Sequence, residues 1–127
     1  MIATTNIVAN FHNDWTRVVL IYSALMALWG LFLYVRGMHP TGGYLGALTI
    51  DFGVVVIQGL VGLTLVAGGH RPHDSLHYLY GFVSLLTLPA AYSYSERGTT
   101  RQDSLVFGLA ALLLFGLSIR AAMTGGS

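Results

Sequence analysis

Apolar residues fall into four long stretches along the chain, separated by short polar breaks. They cover about 15–35, 44–67, 75–94 and 104–123. Each is close to the roughly 20 residues that a helix needs to cross the hydrocarbon core of a bilayer. The breaks carry turn signals. His39-Pro40-Thr41-Gly42-Gly43 separates the first two stretches, and Gly68-Gly69 ends the second. Pro72 suits a first-turn position ahead of the third, and Ser95-Glu96-Arg97-Gly98 begins the last break. Breaks of roughly 6–10 residues force neighbouring helices to run antiparallel. The pattern predicts an all-α, integral-membrane, up-down-up-down four-helix bundle. Residues 1–127 form one domain, with both termini on one side. Pro89 falls inside the third stretch and predicts a kink, which membrane bundles tolerate because neighbours satisfy the freed backbone groups.

Composition narrows the class. Of the 127 residues, 54% are hydrophobic and 9% charged, where soluble domains average about one-quarter charged. The net charge of +1 provides no field to steer a nucleic acid, so none is expected as a partner. The absence of cysteine excludes disulfides, thiolate-bound zinc, iron–sulfur clusters and covalent c-type haem. The opening MIATTNIVANFHND has neither a basic start nor an Ala-x-Ala site. It is expected to be retained and to lie along the membrane surface. Arg97 and Arg101 form a loop pair, which favours a cytoplasmic side for the first and third loops. Tyr78, Tyr80, Tyr92, Tyr94 and Trp15 mark interfacial aromatic belts.

Histidine is the remaining chemistry. The topology brings His12, His70, His73 and His77 to one membrane face and leaves His39 on the other. Imidazole is a common axial ligand of b-type haem and a good ligand for copper or zinc. His77 is the best placed, on a helix at membrane depth, with Gly81 one turn along the same face. A glycine there lets a porphyrin lie against the backbone. His12 or His70 approaches from the other side. A metal site from His70, His73 and His77 is the other arrangement, although Gly68-Gly69 and Pro72 argue against a continuous helix there.

Two polar residues lie deeper. Gln58 and Asp51, seven residues apart, share a face of the second helix. Gln58 serves either a helix–helix hydrogen bond or a bound cofactor. Asp51 is expected near the interface, paired with Arg36 or Arg101. The glycines at 46, 53, 59, 62, 108 and 116 serve either close helix packing or a flat cofactor.

The stretch QGLVGLTLVAGGHRPHDSLHYLYGFVSLL, from Gln58 to Leu86, resembles a helix pair of the haem A synthase family. The matching positions are Gln58, Gly62, Pro72, Leu76 and His77, and the His12-led first helix resembles the helix that precedes that pair. Asn13, not arginine, follows His12 here. The family is built from two four-helix halves, each holding haem between histidines. This chain corresponds to one half, similar to small four-helix b-type cytochromes. The resemblance therefore implies haem binding rather than haem A synthesis.

The expectation is a small b-type cytochrome-like protein of the bacterial inner membrane. One haem b would sit between His77 and His12, with His70 in reserve and Gly81 and Gln58 beside it. Its role would be one-electron transfer within or beside a redox complex, with the lipid bilayer and larger membrane subunits as partners. The alternative is a non-catalytic accessory subunit of a respiratory or photosynthetic complex. A histidine-based metal or solute transporter is a third reading, with no inverted repeat to support it.

Overall fold

The computed structural model describes residues 2–69 and 75–124. His70, Arg71, Pro72 and His73 lie outside the described residues. Four helices account for nearly all the rest: α1 (Ile2–Val35), α2 (Gly42–Ala67), α3 (Leu76–Tyr94) and α4 (Arg101–Thr124). No strand occurs among the described residues. Three of the helices contain spans long and apolar enough to cross a membrane, at Ile7–Val35, Gly42–Ala67 and Arg101–Met123. The fourth, α3, has 19 residues, about 28 Å at the helical rise. It carries His77, Ser84, Thr87 and Pro89 and falls outside those three spans.

The helices form a closed ring, α1–α2–α3–α4, each packed on two neighbours and none across the diagonal. Paired contacts give the directions. Trp15 and Tyr22 of α1 meet Val54 and Ala47 of α2, so these two run antiparallel. His77 of α3 meets Ala121 of α4, while Tyr92 meets Phe107. Helices α1 and α3 are therefore parallel.

Large apolar side chains occupy both sides of the helices. Met26, Leu48, Phe107 and Leu114 are buried inside the ring. Leu28, Ile50, Leu63 and Leu113 are exposed outside it. A bundle apolar on both its inner and outer faces is solvated by lipid.

The opening residues differ from expectation. They are not a separate surface segment, because α1 runs unbroken from Ile2 to Val35. No glycine or proline interrupts residues 2–14, and Val8 and Phe11 continue the apolar side that meets α2. α3 likewise continues through Pro89 to Tyr94, where Ser84 and Thr87 hydroxyls bond the carbonyls one turn back.

Helices α1 and α4 approach at two glycines. A Cβ on Gly30 would lie 2.8 Å from Gly108 Cα and 2.5 Å from the Tyr44 hydroxyl; one on Gly108 would lie 3.0 Å from the Leu31 amide nitrogen. Backbone thus touches backbone, and no side chain fits between. At the same end the α3–α4 loop folds onto Asp103. Its carboxylate accepts the amide N–H groups of Glu96, Gly98, Thr99 and Thr100 at 2.9–3.3 Å. Arg97 and Gly98, with φ of 58° and 80°, make the left-handed turn that aims those amides inward.

Three outcomes are expected for stability in detergent, read by thermal unfolding. Gly108→Val destabilises by about 1–3 kcal/mol through overpacking. Gly116→Val, where a Cβ meets nothing within 4 Å, leaves the midpoint nearly unchanged. Equal effects at the two positions would contradict the crossing. Asp103→Ala, which leaves several amides without an acceptor, costs about 1–3 kcal/mol.

Candidate functional site

The parallel course of α1 and α3 brings two histidines to one level. The His12 and His77 ring centres are 6.2 Å apart, with planes at 68°. Different contacts hold each ring.

His12 lies within the long α1 helix and is held through its backbone. Gln58 Nε2 donates to the His12 carbonyl at 3.0 Å and to Thr16 Oγ1 at 2.8 Å. The Thr16 hydroxyl in turn donates to the same carbonyl at 3.0 Å. A carbonyl can only accept, so the NH2 end of the Gln58 amide must face His12. Gly62 makes room for the ring, since a Cβ there would come within 3.3 Å of His12 Cε1.

His77, the second residue of α3, is held through its ring. Nδ1 donates to the Ala121 carbonyl at 2.6 Å. That carbonyl belongs to the last turn of α4, where backbone acceptors lack partners within their own helix. The bond fixes the ring orientation. In the neutral imidazole it leaves the lone pair on Nε2, the arrangement found in ligating histidines.

Beside the rings lies a cavity of about 580 Å³, to which all four helices contribute. Its size falls within the ordinary range for small-molecule sites. Aliphatic walls come from Val19, Val55 and Leu85, and polar points from Asn13, Thr16, Gln58, Ser84 and Ser118. Gly59, Gly62 and Gly81 line it as well. A Cβ on Gly81 would meet nothing within 4 Å, so the backbone of α3 is open to the cavity there. Gln58 Oε1 is buried and has no hydrogen-bond partner. The cavity lies beside the α2–α3 side of the ring, the least closely packed of the four.

The donor set can be tested against a metal centre. Metal–imidazole bonds are about 2 Å, so two rings on opposite sides of one metal have centres about 6 Å apart. The observed 6.2 Å matches that spacing. Among the described residues no group of three or more His, Cys, Asp or Glu side chains is placed to hold a metal ion. The arrangement from His70, His73 and His77, and the reserve role of His70, fall on residues outside those described.

His12, His77, Gln58 and Gly81 thus line one cavity. His39 sits at the other end of the bundle, its Nδ1 2.8 Å from the Pro40 carbonyl. Gln58 makes the helix–helix bond and also leaves an acceptor over, so its two expected roles are not exclusive. Asp51 is a correction. It is fully buried against α1, bonded to Ser23, and pairs with neither Arg36 nor Arg101. Arg36 lies over the Phe32 ring. Arg101 lies over Tyr34 and donates to its carbonyl. Sequence reasoning missed Thr16, Ser84 and the α4 residues Ser118, Ala121 and Ala122. Ser118 was the available signal, the one hydroxyl in the apolar run 110–119 of α4.

Compared with known protein families, curated proteins and solved structures, the chain matches none.

The His77 bond makes a prediction for the cofactor-free protein. Nitrogen NMR of imidazole-labelled chain should show that the neutral form of His77 carries its hydrogen on Nδ1. The reverse tautomer would contradict the Ala121 bond.

Proposed function

We propose that the chain is a small haem-binding membrane protein, with one b-type haem held between His12 and His77. The observation that carries this reading is the pair of imidazoles at ligation spacing in an otherwise apolar, four-helix site. The resemblance of the Gln58–Leu86 stretch to a helix pair of the haem A synthase family is in keeping with it.

A bound haem would supply a one-electron couple. The chain's own residues do the rest. His77 is oriented by Ala121, with Nε2 available as ligand. His12 is locked to α2 by the Gln58 clamp. Gly81 keeps the α3 backbone open, where a flat ring would meet no side chain. The aliphatic walls exclude water, which favours two neutral nitrogen ligands over a hydrated metal. The role is electron transfer within or beside a redox complex of larger subunits. A bacterial inner membrane suits a protein of this size and kind.

Purified from a haem-replete host, the chain should show a sharp reduced-minus-oxidised absorption band. The band is lost or strongly reduced in His77→Ala, and lost in Gly81→Leu, which fills the open face. A colourless native preparation, or full haem retention in His77→Ala, would overturn the assignment. A colourless chain that co-purifies with larger subunits would point instead to the accessory-subunit role.

A further inference from the structure

One buried acid lies outside the cavity and takes no part in holding the histidines. Asp51, in the third turn of α2, is 0% exposed, as is its partner Ser23 of α1. Ser23 Oγ lies 3.2 Å from Oδ1 and 3.3 Å from Oδ2. A hydroxyl has one hydrogen and serves one of these oxygens at a time. A proton on the carboxyl would supply a second bond, donated from Asp51 to Oγ.

Among the described residues no cation offsets an ionised form. The titratable groups bearing on Asp51 are Tyr22 of α1 and Tyr44 of its own helix. Both phenols donate to backbone carbonyls, Tyr22 to Ala47 at 2.6 Å and Tyr44 to Met26 at 3.1 Å. Neither α3 nor α4 brings a charged side chain to it among the described residues. A lone carboxylate in hydrocarbon is costly, whereas a neutral acid bonded to a hydroxyl is tolerated.

The acid also lies close to the cavity. Asp51 and Gln58 are two turns apart on one helix, about 10 Å along its axis. Two unit charges at about that distance, with an effective dielectric of about 20, shift each other's equilibria roughly tenfold or more.

We propose that Asp51 and Ser23 form an intramembrane proton-binding site whose occupancy follows the charge held in the cavity. The coupling rests on the haem reading; the proton site itself does not. When an external one-electron reductant adds an electron to the cavity, the Asp51 carboxylate takes up one proton from water. When the electron leaves, the carboxyl gives the proton back. On uptake the carboxyl O–H bond forms as an O–H bond of a hydronium ion breaks, on release the reverse, and the charge enclosed by hydrocarbon stays constant.

Infrared and redox titrations of the full chain test this. At neutral pH the cofactor-free protein should show a protonated-carboxyl C=O band that is absent in Asp51→Asn and shifted in Ser23→Ala. In the haem-loaded protein the midpoint potential should fall as pH rises. That slope should flatten in Asp51→Asn while the absorption band stays in place. Absence of the infrared band, or a pH slope that survives Asp51→Asn, overturns the proposal. A chain that takes up no haem overturns the cavity reading instead, and the infrared band then decides the proton site alone. If Asp51→Asn does not fold, the band shift in Ser23→Ala decides it.

Discussion

In hydrocarbon, a hydrogen bond between helices faces no competition from water, and a polar group left without a partner has no solvent to turn to. The α1–α2 seam is built on that constraint. Five side chains cross it: Trp15 to the Val54 carbonyl, Tyr22 to that of Ala47, Ser23 to Asp51, Tyr44 to the Met26 carbonyl and Gln58 to that of His12. Each is worth little alone, about 0.6–2 kcal/mol in membrane proteins. Together they allow one register, because sliding either helix by a residue would break every bond at once. The end of this series is the clamp on His12. The seam that fixes the register of α1 against α2 is also what sets the depth and rotation of one candidate ligand.

The other histidine depends on a different seam. Its bond to Ala121 requires α3 and α4 to be correctly staggered at their shared end. Two features at the opposite end of the bundle fix that stagger. Asp103 gathers the amides of the α3–α4 loop, and the Gly30–Gly108 contact locks α4 against α1. The site is therefore assembled from parts whose restraints lie along the full length of the bundle. The loosely packed α2–α3 side leaves room for a ligand without weakening either seam. Stability at the far end and geometry at the site are parts of one framework, in which helices act as rigid rods.

Much of this was legible in the sequence, and the reasons differ by element. Four apolar stretches with short breaks define the bundle and its antiparallel order, since length and hydropathy act locally. Antiparallel order places residues 12 and 77 at the same end, and the seven-residue spacing of Asp51 and Gln58 puts them on one face. What was not legible depends on pairings between helices. An acid two turns from Gln58 can equally face an interfacial arginine or a serine of α1, and only packing chooses Ser23. The contact of Gly30 with Gly108 needs the crossing point of α1 and α4, which periodicity does not contain. The unbroken extension of α1 to Ile2 was hidden because residues 2–14 mix polar and apolar types, although nothing in them stops a helix. The α4 contribution to the cavity was missed because Ala121 acts through its carbonyl, and a backbone group leaves no mark in the side-chain pattern.

The central claim is spatial: the residues at positions 12 and 77 lie side by side at one level and line a common cavity. The chain has no cysteine, so a pair introduced as His12→Cys and His77→Cys reports on that geometry without background. In membranes, a short bis-maleimide should link the two within a single chain, giving a cross-linked monomer by mass. The pair His12→Cys and His39→Cys, at opposite ends of the bundle, should not link. Efficient linkage of 12 to 39, or none of 12 to 77 when both thiols are reactive, would contradict the account.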